Sequence, residues 1–472
     1  MRRHERSDRS ATRRHLGFSR RDLLCGSAAL LATSCLAGSG DGPSIFGLDA
    51  AGLADEPESI PEAPLATFPL GVASGDVVTT GAVLWTRYTG GAELHLAVWE
   101  MDGDVYLERV GLFRVSPAEG GFVHADVGDL AAGARHRYAF LEVTAGRVAA
   151  RSPIGRFRAA LPDDAVEPMT LAALACTSNG RSMATLERVG ERTDLDLLCL
   201  LGDTTYNDGA RTRDQFRSRW SQNLSTAGYR RARAATSVVA TWDDHEISNN
   251  WNPETVDANL LATGAATFFE NLPIRRHPTD VGRVYRSLRW GLTAELFVLD
   301  CRSERRPSTR LTAGAQYLSR AQMDWLEASL SSSPAVFKII LNSVPITNFP
   351  GLFDFTAGDR WEGYPAARRE ILRFIEDERI DGVVWLAGDF HLGSTGRVSP
   401  SGLGRAALEI LAGPGAQAGN PLAGTLVGDP QFDFVTARSN YTAVSLDPAT
   451  RTIGLSFRDG TGAVLGERSY VV

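Results

Sequence analysis

Four segments of this chain share one shape: a short apolar run with strand character that closes on a side chain able to ligate a metal. Met169-Thr-Leu-Ala-Ala-Leu-Ala-Cys176 ends on a thiol, and Asp194-Leu-Asp-Leu-Leu-Cys-Leu-Leu-Gly-Asp203 ends on Gly-Asp. Ala234-Ala-Thr-Ser-Val-Val-Ala-Thr241 runs into Trp242-Asp-Asp-His-Glu246, and Asp381-Gly-Val-Val-Trp-Leu-Ala-Gly-Asp-Phe-His391 closes on Gly-Asp-x-His. Short apolar, β-branched runs bounded by turn residues read as buried strands. In an open α/β sheet, ligands bind just past the carboxyl ends of the strands. A chain that delivers Cys176, Asp203, Asp244, Asp389 and His391 at four such ends therefore predicts one rim of a sheet carrying one site.

The rest of the pattern supports a layered fold. From Met169 onward apolar strands alternate with helical stretches such as Gln322–Leu330 and Ala366–Ile375, which predicts an α/β (α+β layered) arrangement. Further strands are expected over 293–300, 336–341 and 406–411, and the last sixty residues return to strands that extend the sheet in antiparallel fashion. Between Phe68 and Leu161 short alternating strands are separated by Gly90-Gly91, Asp102-Gly103 and Gly120-Gly121, the spacing of a β-sandwich. The expected organisation is a leader over 1–35, a linker over 36–66 rich in Gly, Pro and Ala, a sandwich domain over 67–162 and a catalytic domain over 168–472.

The leader has its own chemistry. Arg13, Arg14, Arg20 and Arg21 precede a short apolar run from Leu23 to Ala32, and Ser19-Arg-Arg-Asp-Leu-Leu24 resembles a twin-arginine export signature. Ala32-Thr-Ser-Cys35 resembles a bacterial lipoprotein cleavage box, which would lipidate Cys35; simple cleavage is the alternative. The expected destination is outside the cytoplasm: periplasmic, extracellular or lipid-anchored to the cell surface, after passage through the twin-arginine machinery. Eight arginines against three acidic residues make the leader basic, so the remainder carries about −12 where the whole chain carries −7. Such an acidic surface argues against a general nucleic-acid binder. Setting Cys25 and Cys35 aside leaves three thiols, too few for a disulfide framework.

The ligand types divide into two sets. Asp203, Asp244 and Asp389 offer hard oxygens suited to calcium, magnesium or manganese. Cys176, Tyr206 and His391 offer thiolate, phenolate and imidazole; a phenol, with an ordinary pKa of about 10, needs a strongly Lewis-acidic ion to lose its proton, which favours ferric iron. Asp203, leaving its strand after Gly202, can bridge two cations of the kind that clamp an in-line displacement. His245, expected to diverge from Asp244 along an extended segment, suits a general acid, with Glu246 to orient it. Arg302 and Asn249-Asn250 are candidate phosphate contacts, with salt bridging and turn formation as the structural alternatives. His15, His124 and His136 read as surface or packing residues, and Cys199 as a buried apolar position.

At these residues the chain resembles the alkaline phosphatase D (PhoD-like) family of the calcineurin-like metallophosphoesterase superfamily. The resemblance is carried in order by Phe68-Pro-Leu-Gly-Val-Ala-Ser-Gly-Asp76, Val83-Leu-Trp-Thr-Arg87, Ala175-Cys176, Leu201-Gly-Asp-x-x-Tyr206, Thr241-Trp-Asp-Asp-His-Glu246, Leu299-Asp-Cys-Arg-Ser303, Trp361-Glu-Gly-Tyr-Pro365 and Ala387-Gly-Asp-Phe-His391. It implies an N-terminal fibronectin/Ig-like β-sandwich followed by a metallophosphoesterase core of two β-sheets flanked by helices. It also implies ferric iron on Cys176, Asp203, Tyr206 and His391, calcium on Asp203, Asp244 and Asp389, and His245 as the acid; manganese or zinc could fill the same cage. The expected activity is hydrolysis of phosphodiesters and phosphomonoesters, with a phospholipase D-like or wall-polymer diesterase, or a surface binding protein with a structural metal centre, as alternatives. Two departures bear on substrate preference: Thr204-Thr205-Tyr206-Asn207 lacks the family's bulky pair and the acidic residue after the tyrosine, and Asn342-Ser343-Val344-Pro345 replaces a Gly/Gln-rich segment.

Overall fold

The expected strand ends are brought together by two sheets packed face to face. In the computed structural model, which describes residues 56–472, Leu197–Leu201 lies between Met169–Leu174 and Ser237–Thr241, parallel to both. The expected leader, Cys35 and most of the linker lie outside the described residues. In the second sheet Val383–Ala387 lies between Phe337–Asn342 and Leu408–Leu411, again parallel to both, with Ala294–Val298 beyond. Three of the four expected ends thus belong to one sheet and the fourth to its partner.

The period of two along each strand explains the layering. Leu197, Cys199 and Leu201 face the core between the sheets, where Leu171, Val239, Ile339, Leu341, Leu386 and Ile410 join them. Leu198, Leu200, Val238 and Ala240 face the opposite way, onto the helices Arg213–Leu224, Ala227–Ala235 and Ala258–Asn271. The second sheet repeats the arrangement with Phe297, Ile340 and Trp385 against Arg320–Ser332 and Pro365–Asp377. Strands buried on both faces read as continuous apolar runs, which is why these segments were visible as strands. The three helices on the first sheet are fixed by local chemistry: Thr212 caps Arg213–Leu224 in a reciprocal capping box with Gln215, Thr226 accepts the amide of Tyr229, and Asp257 that of Leu260.

The C-terminal strands extend the first sheet as expected: Tyr441–Asp447 pairs antiparallel with Met169–Leu174, followed by Thr452–Arg458 and Val464–Val471. Residues 67–162 do not close into two sheets of their own. Val72–Val78, Gly81–Arg87 and Phe122–Val127 complete the other end of the same nine-stranded sheet, through a parallel bridge of Gly75 to Val238. The remaining strands, among them Glu93–Asp102 and Arg135–Thr144, form a separate five-stranded sheet that packs on this extension through Leu94, Leu96, Val98, Tyr138 and Phe140. The reason is steric. A side chain at Gly75 would lie 2.5 Å from the carbonyl of Pro273 and 2.7 Å from that of Val238, so glycine lets the two backbones meet. Strand spacing alone cannot reveal such a join.

The two sheets meet at their carboxyl ends. A Cβ on Gly388 would approach the Cβ of Ala175 and the carbonyl of Leu201 to 2.6 Å each, so the end of Val383–Ala387 rests directly on the ends of its two counterparts. Among the described residues no helix is long and apolar enough to cross a membrane.

Candidate functional site

Three of the four strands leave their sheets through a tight left-handed step, and the turn after Ser237–Thr241 takes one later, at Asn250. Cys176, Asp203, Asp389 and His391 all have positive φ, at 56°, 52°, 62° and 52°, and Asn250 has 52°. Non-glycine residues rarely adopt this conformation, and where they do the surrounding structure holds them there. The backbone is therefore bent so that each side chain turns back over the sheet edge. Gly202, with φ at 93°, makes the step before Asp203 possible: a Cβ there would lie 2.5 Å from the Cβ of Asp243 and 2.9 Å from its amide nitrogen. Gly202→Ala is expected to cost about 2–3 kcal/mol of stability, measured by urea unfolding. An unchanged midpoint would show that the neighbouring loop yields freely.

The convergence forms two overlapping groups. Ligand atoms of Cys176, Asp203 and His391 lie within 4.8 Å of one another, as do those of Asp203, Asp244 and His245. The Tyr206 hydroxyl donates to Asp203 Oδ2 at 3.3 Å and lies 3.4 Å from His391 Nε2. Asp389 is 3.7 Å from Arg302, which also lies 4.0 Å from Asp244, so both carboxylates flank the same guanidinium. All seven residues expected to carry the site are thus in one neighbourhood.

The electrostatics bear on what this cluster can hold. Burial, then Asp244 and Asp243, push the Asp203 carboxyl well above the usual range; burial and Asp243 do the same to Asp389, and burial with Asp203 and Asp389 raises the Cys176 thiol. Tyr206 is raised as well, first by burial and then by Cys176 and Asp203. Asp244 is held low by Arg302 and His245, against its burial. Like-charged acidic groups crowded out of water are unstable as anions unless a cation joins them. The donor set of thiol, phenol, imidazole and carboxylates fits a pair of metal ions sharing Asp203.

Around this cluster the supporting contacts differ from expectation in two places. Glu246 does not orient His245. It accepts the backbone N–H groups of Asp203 at 3.1 Å, Thr204 at 2.6 Å and Asp243 at 2.9 Å, tying together the turns after two neighbouring strands. Despite these donors, burial pushes its carboxyl up to about 7. Asp208 takes the orienting role, its Oδ2 2.6 Å from His245 Nδ1, and Oδ1 accepts the Asn249 amide. Burial opposes a charge on the imidazole, but Asp208 and Asp244 outweigh it and raise His245. Asp208 stands two positions after Tyr206, before Gly209 in its own left-handed step; a carboxylate in that loop was the available signal.

The second difference is that the chain turns immediately after Asp244, whose carbonyl accepts the amides of Ile247 and Ser248. His245 is therefore drawn toward Asp203, its backbone N–H 3.4 Å from Asp203 Oδ1, instead of diverging along an extended strand. Of the two readings left open for Arg302, the contacts follow salt bridging: it is fully buried and forks onto Asp243 at 2.5 and 2.9 Å while reaching Asp359 at 2.5 Å. It supports the carboxylate cluster from beneath, and the cavity wall is made by others. Asn249 and Asn250 do line that cavity, and the Asn250 amide donates to Asp244 Oδ2 at 2.6 Å. His136 stacks on Phe157 and His124 Nε2 meets the Leu272 carbonyl, both as packing residues; Cys199 is buried in its strand, and His15 lies outside the described residues.

Above the cluster opens a cavity of about 680 Å³, floored by Asp203, Asp244, His245, Asp389 and His391. Asp208→Asn is expected to lower turnover in this cavity by about 10–100-fold, the usual effect of losing the partner that orients a functional histidine. Steady-state kinetics with an intact melting curve would separate this from misfolding.

Residues 171–447 match the family model of the PhoD-like phosphatase, and residues 54–161 match that of the PhoD-like phosphatase N-terminal domain. Alkaline phosphatase D of Bacillus subtilis (strain 168) is 28% identical over 381 residues, covering 69% of this chain. The chain spans 64% of the length of that relative. Among solved structures, one described as the structure of PhoD superposes with a TM-score of 0.71 at 23% identity, over 87% of this chain and 90% of the other. Purple acid phosphatase PPD1 from yellow lupin (Lupinus luteus) seeds gives 0.62 at 12% identity, over 84% and 73%. At these identities the two structural likenesses speak for the fold.

Proposed function

The chain belongs to the PhoD-like phosphatase family, and from that premise we propose that it is an exported, metal-dependent phosphoesterase acting on phosphate esters. The observation that carries the reading is the buried, mutually repelling acidic cluster at the floor of an open cavity, which calls for cations at the place where a phosphate ester can enter. Cys176, Asp203, Tyr206 and His391 are assigned to ferric iron, and Asp203, Asp244 and Asp389 to calcium. When bound, the two cations neutralise charge developing on the phosphoryl oxygens and lower the pKa of water at the site.

The chain's own residues supply the rest. Asp208 holds Nδ1 of His245, which leaves Nε2 as the ring nitrogen available to a substrate. As water adds at phosphorus and the bond to the alcohol breaks, His245 gives its proton to the departing oxygen, and the proton lost by the water restores the balance. Glu246 keeps the turns of Asp203 and Asp243 in fixed relation, so the reacting groups move little. Export through the twin-arginine route, with Cys35 as a lipid anchor or the chain released, and a structural role for residues 67–162, none of which lines the cavity, beside the catalytic residues 168–472, complete the proposal.

The test is metal analysis of folded, never-chelated protein together with hydrolysis of 4-nitrophenyl mono- and diesters. About one iron and at least one calcium per chain, with turnover, is the expected result. Zinc or manganese with turnover would keep the hydrolase and remove the ferric assignment. Metal without turnover would favour a structural centre. Stripping the metals is expected to abolish hydrolysis and to lower stability by about 2.7 kcal/mol or more, the linkage value for a ligand at a hundred times its Kd. Calorimetry before and after chelation reads this directly.

A further inference from the structure

The cavity has two unlike halves, and the second is apolar. Phe390 stands between the two site residues Asp389 and His391, so an aromatic surface begins one residue from the acidic cluster. Phe349 stacks on Phe390 at 4.3 Å, and Phe353 packs on both at 5.5 and 5.4 Å. Arg360 closes this group from the side, 5.2 and 4.8 Å from the Phe349 and Phe390 rings, with its charge paired to Glu362. These contacts hold the floor of the apolar half in place.

One ring on this wall has no such neighbours among the described residues. Phe355, from the turn Gly351–Asp359, lines the same cavity and is 77% exposed, and the half-buried Leu422 lines it too. Its turn is anchored at the end nearest the acidic cluster by Asp359, which reaches both Arg302 and Arg305. An exposed phenylalanine on a wall contiguous with a charged floor matches the composition of a small-molecule site, apolar lining with a few converging polar groups.

Resting on the phosphoesterase reading above, we infer that this wall is the subsite for the alcohol portion of the substrate, that it selects esters whose alcohol is apolar, and that Phe355 is the residue that sets this preference. A phosphoryl group held by the cations that Asp203, Asp244 and Asp389 would bind has the acidic floor on one side and the Phe390–Phe353 surface on the other. An aryl or alkyl group then leaves water as it lies against Phe355 and Leu422. A sugar or glycerol in the same place would lose hydrogen bonds to water, while the polar groups of this wall are already engaged: the Thr356 hydroxyl with the Phe353 carbonyl and Arg360, and the Asn420 amide with the Phe390 carbonyl and the Leu422 N–H.

The experiment uses the metal-loaded chain and methyl 4-alkylphenyl phosphates with hydrogen, ethyl and butyl at the para position, run beside methyl 4-nitrophenyl phosphate. A para-alkyl group scarcely alters the phenol as a leaving group, so the series reads apolar contact alone. kcat/KM is expected to rise about threefold per methylene, close to the transfer value for a buried CH₂. Phe355→Ala is expected to flatten the series and Phe355→Leu to keep most of it, with melting curves unmoved because the ring is exposed. A flat series in the unaltered protein, with the nitrophenyl ester still cleaved, overturns the apolar subsite and leaves the phosphoesterase reading intact. A steep series that Phe355→Ala leaves steep overturns the role of Phe355. No cleavage of any ester overturns the phosphoesterase reading itself, and the subsite with it.

Discussion

Asp203→Asn is expected to reduce kcat/KM for phosphoester hydrolysis by on the order of 10³-fold or more, since it removes the one carboxylate common to both ligand groups and with it several kcal/mol of charge stabilisation. The same substitution is expected to raise the stability of the metal-free chain at neutral pH. Burial and the neighbouring Asp244 and Asp243 favour the protonated form of Asp203 in the folded state. A carboxyl whose folded pKa is raised binds more protons when folded, so stability falls as pH rises past the unfolded carboxylate value of about 3.9. Asparagine carries no such charge, and its amide can still accept from the His245 N–H and donate toward Asp244. Chelated wild type should therefore melt below chelated Asp203→Asn at pH 7, and the gap should close as the pH approaches 4. Added metal should stabilise only the wild type. Equal melting of the two chelated proteins at pH 7 would mean that the cluster is not a charge sink, and the electrostatic case for cations would fail.

Arg302→Met is the second large effect, and it concerns folding first. Asp243 is fully buried, and among the described residues its only cationic partner is the fork of Arg302. Removing one member of a buried ion pair leaves an uncompensated charge and typically costs about 3–5 kcal/mol. Here Asp359 loses one of its two arginines as well, retaining Arg305. Urea unfolding should show the loss, and the double variant Arg302→Met/Asp243→Asn should recover part of it, because the stranded charge is gone. Non-additivity in that cycle measures the pair. Additive losses would place the importance of Arg302 elsewhere, for instance in its approach to Asp244 and Asp389.

The strands were legible because burial on two faces writes itself into composition. Leu197, Leu198, Cys199, Leu200 and Leu201 have no polar member, and the following Gly202-Asp203 marks where the sheet stops. Repetition of that signature at Cys176, Asp244 and Asp389 points to one rim of one sheet; the structure puts Asp389 on the second sheet and still brings the ends together. The layered α/β architecture followed from the same alternation. What did not follow was the boundary of the N-terminal strands. Val72–Val78 reads the same whether its neighbour is another N-terminal strand or Ser237–Thr241, and Gly75 admits the second pairing without announcing it.

By itself, then, the sequence determined which side chains stand at strand ends, since periodicity and turn chemistry act over a few residues and are complete within the local chain. Tertiary structure decided who serves whom. Glu246, next to His245 in the chain, turns instead to the amides of Asp203, Thr204 and Asp243; Asp208, 37 positions away, takes the imidazole; and Arg302 reaches back 59 positions to Asp243. A side chain's partner is whichever group the folded backbone brings within about 3 Å, and where the loops after separate strands come to lie is set by how two sheets and their helices pack, so neither the pairing nor the aromatic wall of the cavity exists until that packing is made.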